Sequence, residues 1–174
     1  MSTQSANQYP PAVVPDRLFD DAEAEARWRA RFHAPRISVP EWARDAPDAC
    51  VYASNASGVW EVYAWNRATD EHRRVTDRPN GTLHATPSPD GEWIWWFDDT
   101  DGDEFGSWVR EPFAATEGSK PEKAVPDVHD GYQAGLEIGA KIVAVGVSTD
   151  DGGELFARVG GETHRFYSHA DDAG

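Results

Sequence analysis

A hairpin pattern recurs through the middle of the chain. Cys50-Val51-Tyr52-Ala53-Ser54-Asn55, followed by Glu61-Val62-Tyr63-Ala64-Trp65, returns as Trp93-Ile94-Trp95-Trp96-Phe97-Asp98, followed by Glu104-Phe105-Gly106-Ser107-Trp108, with both members displaced by 43 residues. A third, looser copy runs Lys141-Ile142-Val143-Ala144-Val145-Gly146, then Glu154-Leu155-Phe156-Ala157-Arg158. Each copy reads as strand, Gly-bearing turn, strand. A period of about 40 to 50 residues built from short strands is the mark of β-propeller blades. The predicted fold class is all-β: a partial β-propeller of about three four-stranded antiparallel blades, with an N-terminal helix. A blade buries both faces against its neighbours, so a row of three leaves two apolar faces to be covered.

The chain is expected to be organised in five stretches. Residues 1–15, rich in Gln, Asn, Ser and Pro, offer nothing to pack and read as disordered. Residues 16–35 read as a helix capped by Asp16, with Asp20, Asp21, Glu23 and Glu25 early and Arg27, Arg29 and Arg31 late, the order that suits the helix dipole. Blade one spans 36–81, its first strand around Ile37 and Val39 and its last at His72–Thr76. Blade two, with a loop over Ala114–Pro126, spans 82–126, opened by the turn Ser88-Pro89-Asp90-Gly91. Blade three and an acidic tail fill 127–174, with a last strand at His164–Ser168. In blade two, Trp93–Phe97 is apolar on both alternating sides, as a strand sandwiched between two sheets should be. The 43-residue displacement predicts that Val51–Ser54 stacks near Ile94–Phe97 and that Trp65 and Trp108 occupy equivalent places.

Charge narrows the partners. A net charge of -15 and an isoelectric point near 4.6 argue against nucleic acid, whose phosphates require Lys and Arg clusters, and against anionic membranes. No stretch is long and apolar enough for a membrane span, and Met1–Pro15 has neither the basic start nor the apolar run of a signal peptide. A β-rich chain with one cysteine, Cys50, suits a reducing compartment, so the expected location is the cytoplasm. Cys50 itself reads as a small buried hydrophobe.

The residues that could carry chemistry do not assemble into a known pattern. No serine lies in Gly-x-Ser-x-Gly. Ser148 has Gly146 before it but Asp150 at the second glycine position, and Asp150 is too close in sequence to be the acid of a Ser148–His164 triad. An EF-hand loop begun at Asp99 would need Gly at its sixth position and Glu at its twelfth, where Glu104 and Arg110 stand. The run Asp98–Glu104 therefore reads as a turn of solvated carboxylates. The six histidines are scattered without metal-ligand spacing, and Gly152-Gly153 and Gly160-Gly161 have no following helix with which to cradle phosphate. The expectation is no catalytic residue, no metal and no cofactor.

The segment Ser88-Pro89-Asp90-Gly91-Glu92-Trp93-Ile94-Trp95-Trp96-Phe97-Asp98-Asp99, with Asp101-Gly102-Asp103-Glu104-Phe105-Gly106 after it, resembles a TolB-type propeller repeat. With Trp28–Phe32, Ala34–Ser38 and Thr76–Gly81 it resembles more closely the N-terminal propeller of bacterial prolyl oligopeptidase-family serine peptidases, in the acylaminoacyl-peptidase branch. In that family a propeller of seven or eight blades caps an α/β-hydrolase domain, filters peptides by size, and leaves the triad to the hydrolase. The resemblance implies a non-catalytic segment of a truncated or split peptidase. Its partners would be a catalytic α/β-hydrolase chain, the remaining blades or further copies of itself. By analogy with acidic residues in such propellers, the turn Asp99, Asp101, Asp103 and Glu104 is the expected place of contact with a peptide's amino group. The rival expectation is a stand-alone TolB-like interaction module.

Overall fold

The computed structural model describes residues 19–99, 102–116 and 118–170. The chain divides into two compact units, residues 1–34 and 35–174.

The first unit holds one helix, α1 (Ala22–Phe32). It starts later than the sequence suggests. Asp21, not Asp16, is the N-cap, its carboxylate accepting the Glu23 amide at 2.9 Å, and Asp16 lies outside the described residues. Capping is decided by which acid directly precedes a run of helix formers, and Ala22-Glu23-Ala24-Glu25-Ala26 is that run. The i,i+4 pairs Glu23–Arg27 and Glu25–Arg29 brace it, and Trp28 packs on Phe32 and Phe19 along one side.

The second unit is three antiparallel meanders, the blades of a partial propeller. Blade one is β1 (Glu41–Trp42), β2 (Ala49–Ser54), β3 (Glu61–Asn66) and β4 (Glu71–Arg74), paired in chain order. Ile37, expected in its first strand, makes only an isolated bridge to Ser54, because Pro40 separates it from the paired segment. Blade two is β5 (Ala85–Pro87), β6 (Trp93–Asp99), β7 (Phe105–Pro112) and β8 (Glu122–Lys123). The stretch Ala114–Pro126 is thus not wholly loop: β8 lies within it, and Ala124 and Val125 beside it are buried. Blade three is β9 (Gly131–Ile138), β10 (Ile142–Thr149), β11 (Gly152–Val159) and β12 (Glu162–Ala170). Blades two and three are not fully separate sheets. They share a short seam where β7 pairs β9 at Phe105↔Tyr132 and Gly106↔Gly131.

The apolar core lies between blades. Val51, Val62 and Ala64 of blade one meet Ile94, Trp96 and Val109 of blade two. On the other side of β6, Trp95 meets Val145, Val147 and Phe156 of blade three together with Ala124, Val125 and Val128. Successive residues of a strand point to opposite faces, so Ile94 and Trp96 serve one interface and Trp95 the other, and the uninterrupted apolar run of β6 follows. Stacking of the Val51 strand on the Ile94 strand is as expected, and the two strands belong to different sheets.

Trp65 and Trp108, however, are not equivalent. Trp65 pairs Cys50 and stacks on His72, on the face of blade one turned away from blade two. Trp108 pairs Phe97 and packs toward blade three. Displaced by 43 residues, the partner of Trp65 would become Trp93, so the β6–β7 hairpin is zipped four residues out of step with β2–β3. A shift of four residues is even and leaves Trp108 on the side of Trp93 and Trp95, the positions 43 residues after Cys50 and Tyr52, so the reversal is not made within the hairpin: that side looks away from the following blade in blade one and toward it in blade two.

The turn that opens blade two is tied to blade one. Ser88 Oγ donates to Asp90 and accepts the Trp93 amide, while Asp90 accepts the Glu92 amide. Gly91, at φ +73°, sits so close to blade one that a Cβ would fall 2.8 Å from that of Ala46. Both the conformation and the approach call for glycine.

Candidate functional site

The acidic turn between β6 and β7 folds around an arginine. Arg78, on the connection out of blade one and only 16% exposed, places one guanidinium nitrogen 3.1 Å from Asp98 and the other 2.7 Å from Asp99. Asp99 also accepts the Glu104 amide at 3.2 Å, and Asp103 accepts the Phe105 amide at 3.1 Å. Glu104 takes φ +64° to close the turn. Of the four carboxylates expected to meet a peptide, then, Asp99 is committed to Arg78 and Asp103 to the turn itself. Asp101 lies outside the described residues. Glu104 lines a cavity of about 160 Å³ with Asp99, Arg78, Thr82, Trp108 and Gln133. Thr82 Oγ and Trp108 Nε1 are buried without a hydrogen-bond partner among the described residues. Among the described residues of this turn, Glu104 is the carboxylate that lines the cavity without an ion pair or turn bond of its own side chain.

Sequence reasoning missed Arg78 as the organiser. The signal was available: an arginine just after a strand, in a chain whose nearby turn carries only acids. Two further buried polar contacts were not legible. Glu61, 1% exposed, accepts Thr76 Oγ and the Arg78 amide, fixing the same connection from below. Glu111, also 1% exposed, takes Arg73 at 2.5 Å, while Arg73 reaches the Phe113 carbonyl at 3.2 Å. Burial pushes the Glu111 carboxyl above its usual range, and Arg73 pulls it partly back. The Arg73 contacts latch blade one to blade two, and those of Glu61 hold the connection that leaves blade one.

The Ser148, Asp150 and His164 set is not brought together. Ser148 pairs Gly153, whereas His164 pairs Ala157, four positions further along β11, or roughly 13 Å at strand spacing. His164 instead lies 3.6 Å from Glu162. A different histidine is engaged: His129 sits 2.6 Å from Glu154 and 2.9 Å from the Asp130 carbonyl, and Glu154 also takes Arg165 at 2.5 Å. The Asp130 carbonyl and then Glu154 raise the His129 pKa, and His129 and Arg165 together lower that of Glu154.

The other notable surfaces are the outer faces of the first and last blades. On blade one, Trp42, Tyr52, Tyr63, Trp65, His72 and Arg74 share the side opposite Val51 and Val62. Tyr52 stacks on Tyr63, Trp65 on His72, and Trp42 is 63% exposed. On blade three the side opposite Val145 and Phe156 carries Ile142, Ala144, Leu155, Ala157, Val159 and Tyr167. Ile142, Val159 and Tyr167 are about half exposed there, at 48%, 47% and 52%. Scattered exposed hydrophobics are ordinary, whereas these are contiguous on one sheet face. No helix among the described residues is long and apolar enough to cross a membrane.

No family model matches this sequence, and no curated protein does. Solved structures do match the fold. An uncharacterized protein, lmo1340, from Listeria monocytogenes superposes with a TM-score of 0.56 at 10% identity, over 77% of this chain and 38% of its own. A TolB candidate from Agrobacterium tumefaciens gives 0.54 at 16% identity, over 76% of this chain and 50% of its own. TolB from Acinetobacter baumannii gives 0.48 at 14%, over 72% and 30%. The fold is TolB-like, and the chain spans half or less of the length of these structures.

Proposed function

We propose that this chain is a non-catalytic TolB-like propeller module whose role is association with other protein through its blade faces. The observation that carries this reading is the pair of outer faces, each bearing contiguous apolar side chains at the two ends of a row of blades. Propeller blades are built to be covered on both sides, so such faces are docking surfaces. Ser148 and His164, the pair nearest to triad order, sit opposite Gly153 and Ala157, four positions apart on β11.

A second reading is favoured by the sequence around residues 88–106. Its resemblance to prolyl oligopeptidase-family propellers makes the covering protein the remaining blades and an α/β-hydrolase domain, with this segment gating peptide entry. Under either reading the chain itself turns over nothing. The test is labelling with a fluorophosphonate probe and assay against acylated and free-amino peptide esters and amides. No labelling and no turnover are expected; stoichiometric labelling abolished by Ser148→Ala would overturn the non-catalytic assignment.

A further inference from the structure

The cavity of about 160 Å³ beside the β6–β7 turn draws its walls from all three blades, and they carry polar groups with nothing to bond. Thr82 stands on the connection leaving blade one, Phe97, Glu104 and Trp108 belong to blade two, and Gln133 lies on β9 of blade three. Thr82 is only 7% exposed, and its amide, bonded to the Trp60 carbonyl at 2.6 Å, fixes where its side chain starts. Its hydroxyl has no partner among the described residues, and neither has the indole N–H of Trp108, whose ring meets that of Phe97 edge to face at 5.3 Å. The Glu104 amide is bonded to Asp99, whereas its carboxylate bonds nothing among the described residues. Arg78 and Asp99, also in the wall, satisfy each other. Buried polar groups are almost always paired, so two orphans lining one cavity point to a bound molecule.

These groups select the ligand. An indole N–H only donates and a carboxylate only accepts, while Thr82 and Gln133 can do either. An ammonium would satisfy Glu104 but has no lone pair for Trp108. An anion would accept from Trp108, but it offers Glu104 nothing and approaches a chain of net charge -15 against repulsion. A hydroxyl donates and accepts at once. Carbon between hydroxyls would meet the rings of Phe97 and Trp108, the combination of apolar wall and few placed polar groups that small-molecule sites share. The volume sets the size: it is the share of about five water molecules at roughly 30 Å³ each, which suits a molecule of few heavy atoms.

We propose that this cavity binds a small neutral polyol, whose hydroxyls accept from Trp108 Nε1, donate to Glu104 and bond Thr82 Oγ. Because the walls come from three blades, an occupant holds the blades together and stabilises their arrangement by mass action. The site is separate from the outer faces on which the module reading rests, so the two stand or fall independently.

The experiment titrates the 174-residue chain with glycerol and erythritol, and with a cation and an anion of similar size, aminopropanediol and glycerate. The readout is the indole N–H resonances in NMR of nitrogen-labelled protein, that of Trp108 being identified by its loss in Trp108→Phe. Trp95 is the internal control: its indole N–H is likewise buried without a partner among the described residues, yet it does not line this cavity. The neutral polyols are expected to shift the Trp108 resonance saturably in the millimolar range, with Trp95 unmoved and both charged analogues weaker. Polyols stabilise proteins in general by exclusion from their surfaces, so melting temperature is not the readout. Glu104→Ala, checked for an unchanged cooperative melt, is expected to weaken binding at least about tenfold, and Thr82→Val several-fold. A cavity that holds water alone gives no saturation. That outcome, equal movement of Trp95 and Trp108, tighter binding of either charged analogue, or unchanged affinity in Glu104→Ala overturns the proposal.

Discussion

Arg73 of blade one meets Glu111 of blade two at 2.5 Å, with the carboxylate 1% exposed. Removing one member of a buried pair leaves the other charge without compensation, which costs about 3 to 5 kcal/mol. Arg73→Met is therefore expected to lower the urea midpoint strongly, while Arg73→Met with Glu111→Gln recovers more than half of the loss. Full additivity of the two substitutions in a double-mutant cycle would show that the latch is not coupled.

Gly91 is required by conformation and by contact. Gly91→Ala combines a left-handed backbone with a Cβ 2.8 Å from Ala46, whereas Gly58, at φ +105°, has nothing within 4 Å of the same added atom. Conformational strain alone costs of order 1 to 3 kcal/mol. Both variants should lower the melting temperature, Gly91→Ala further. Equal shifts would mean that the turn moves off blade one at no cost.

Trp95 fills the space between blades two and three at 3% exposure, with its indole N–H buried and without a partner among the described residues. Trp95→Ala should cost about 3 to 5 kcal/mol through the cavity it leaves. Trp95→Phe removes the unsatisfied donor, worth about 1 to 3 kcal/mol, against a smaller loss of volume, and should cost far less. Chemical denaturation of the two variants checks the order.

The His129–Glu154 contact predicts a pH window. His129 has its pKa raised in the folded protein, so its contribution is fully present below the unfolded histidine value and is lost as pH rises through the folded one. Glu154 has its pKa lowered, so its contribution is present above the unfolded carboxylate value and is lost as pH falls through the folded one. The pair supports blade three best between about pH 4.5 and 6.5. His129→Gln should flatten the rise in stability on acidification from pH 8 to 6, as read by melting temperature. An unchanged slope would show that the contact contributes nothing. The effect should be modest, because His129 is about half exposed, at 48%.

What the sequence by itself determined is the kind of unit and its number. Short strands divided by Gly-bearing turns, returning at a near-constant spacing, specify blades because a strand apolar on both sides, such as Trp93–Phe97, is stable only between two other sheets. Tertiary structure alone decided which way each side chain faces. Ile94 lies 43 residues after Val51, yet the two point at each other across one interface instead of facing the same way, and Trp108 packs toward blade three although Trp65 turns outward. A strand reverses its faces with a shift of one residue, and such a slip between the sequence repeat and the stacking of the blades is set by close packing between sheets, which leaves no imprint on the spacing of a repeat. The polar site followed the same rule. The acids of the β6–β7 turn were visible as a run, but Arg78, which takes Asp98 and Asp99 out of service as free carboxylates, comes from another blade. That contact exists only because the Ile94 strand lies against the Val51 strand, and the burial there makes an unpaired charge costly.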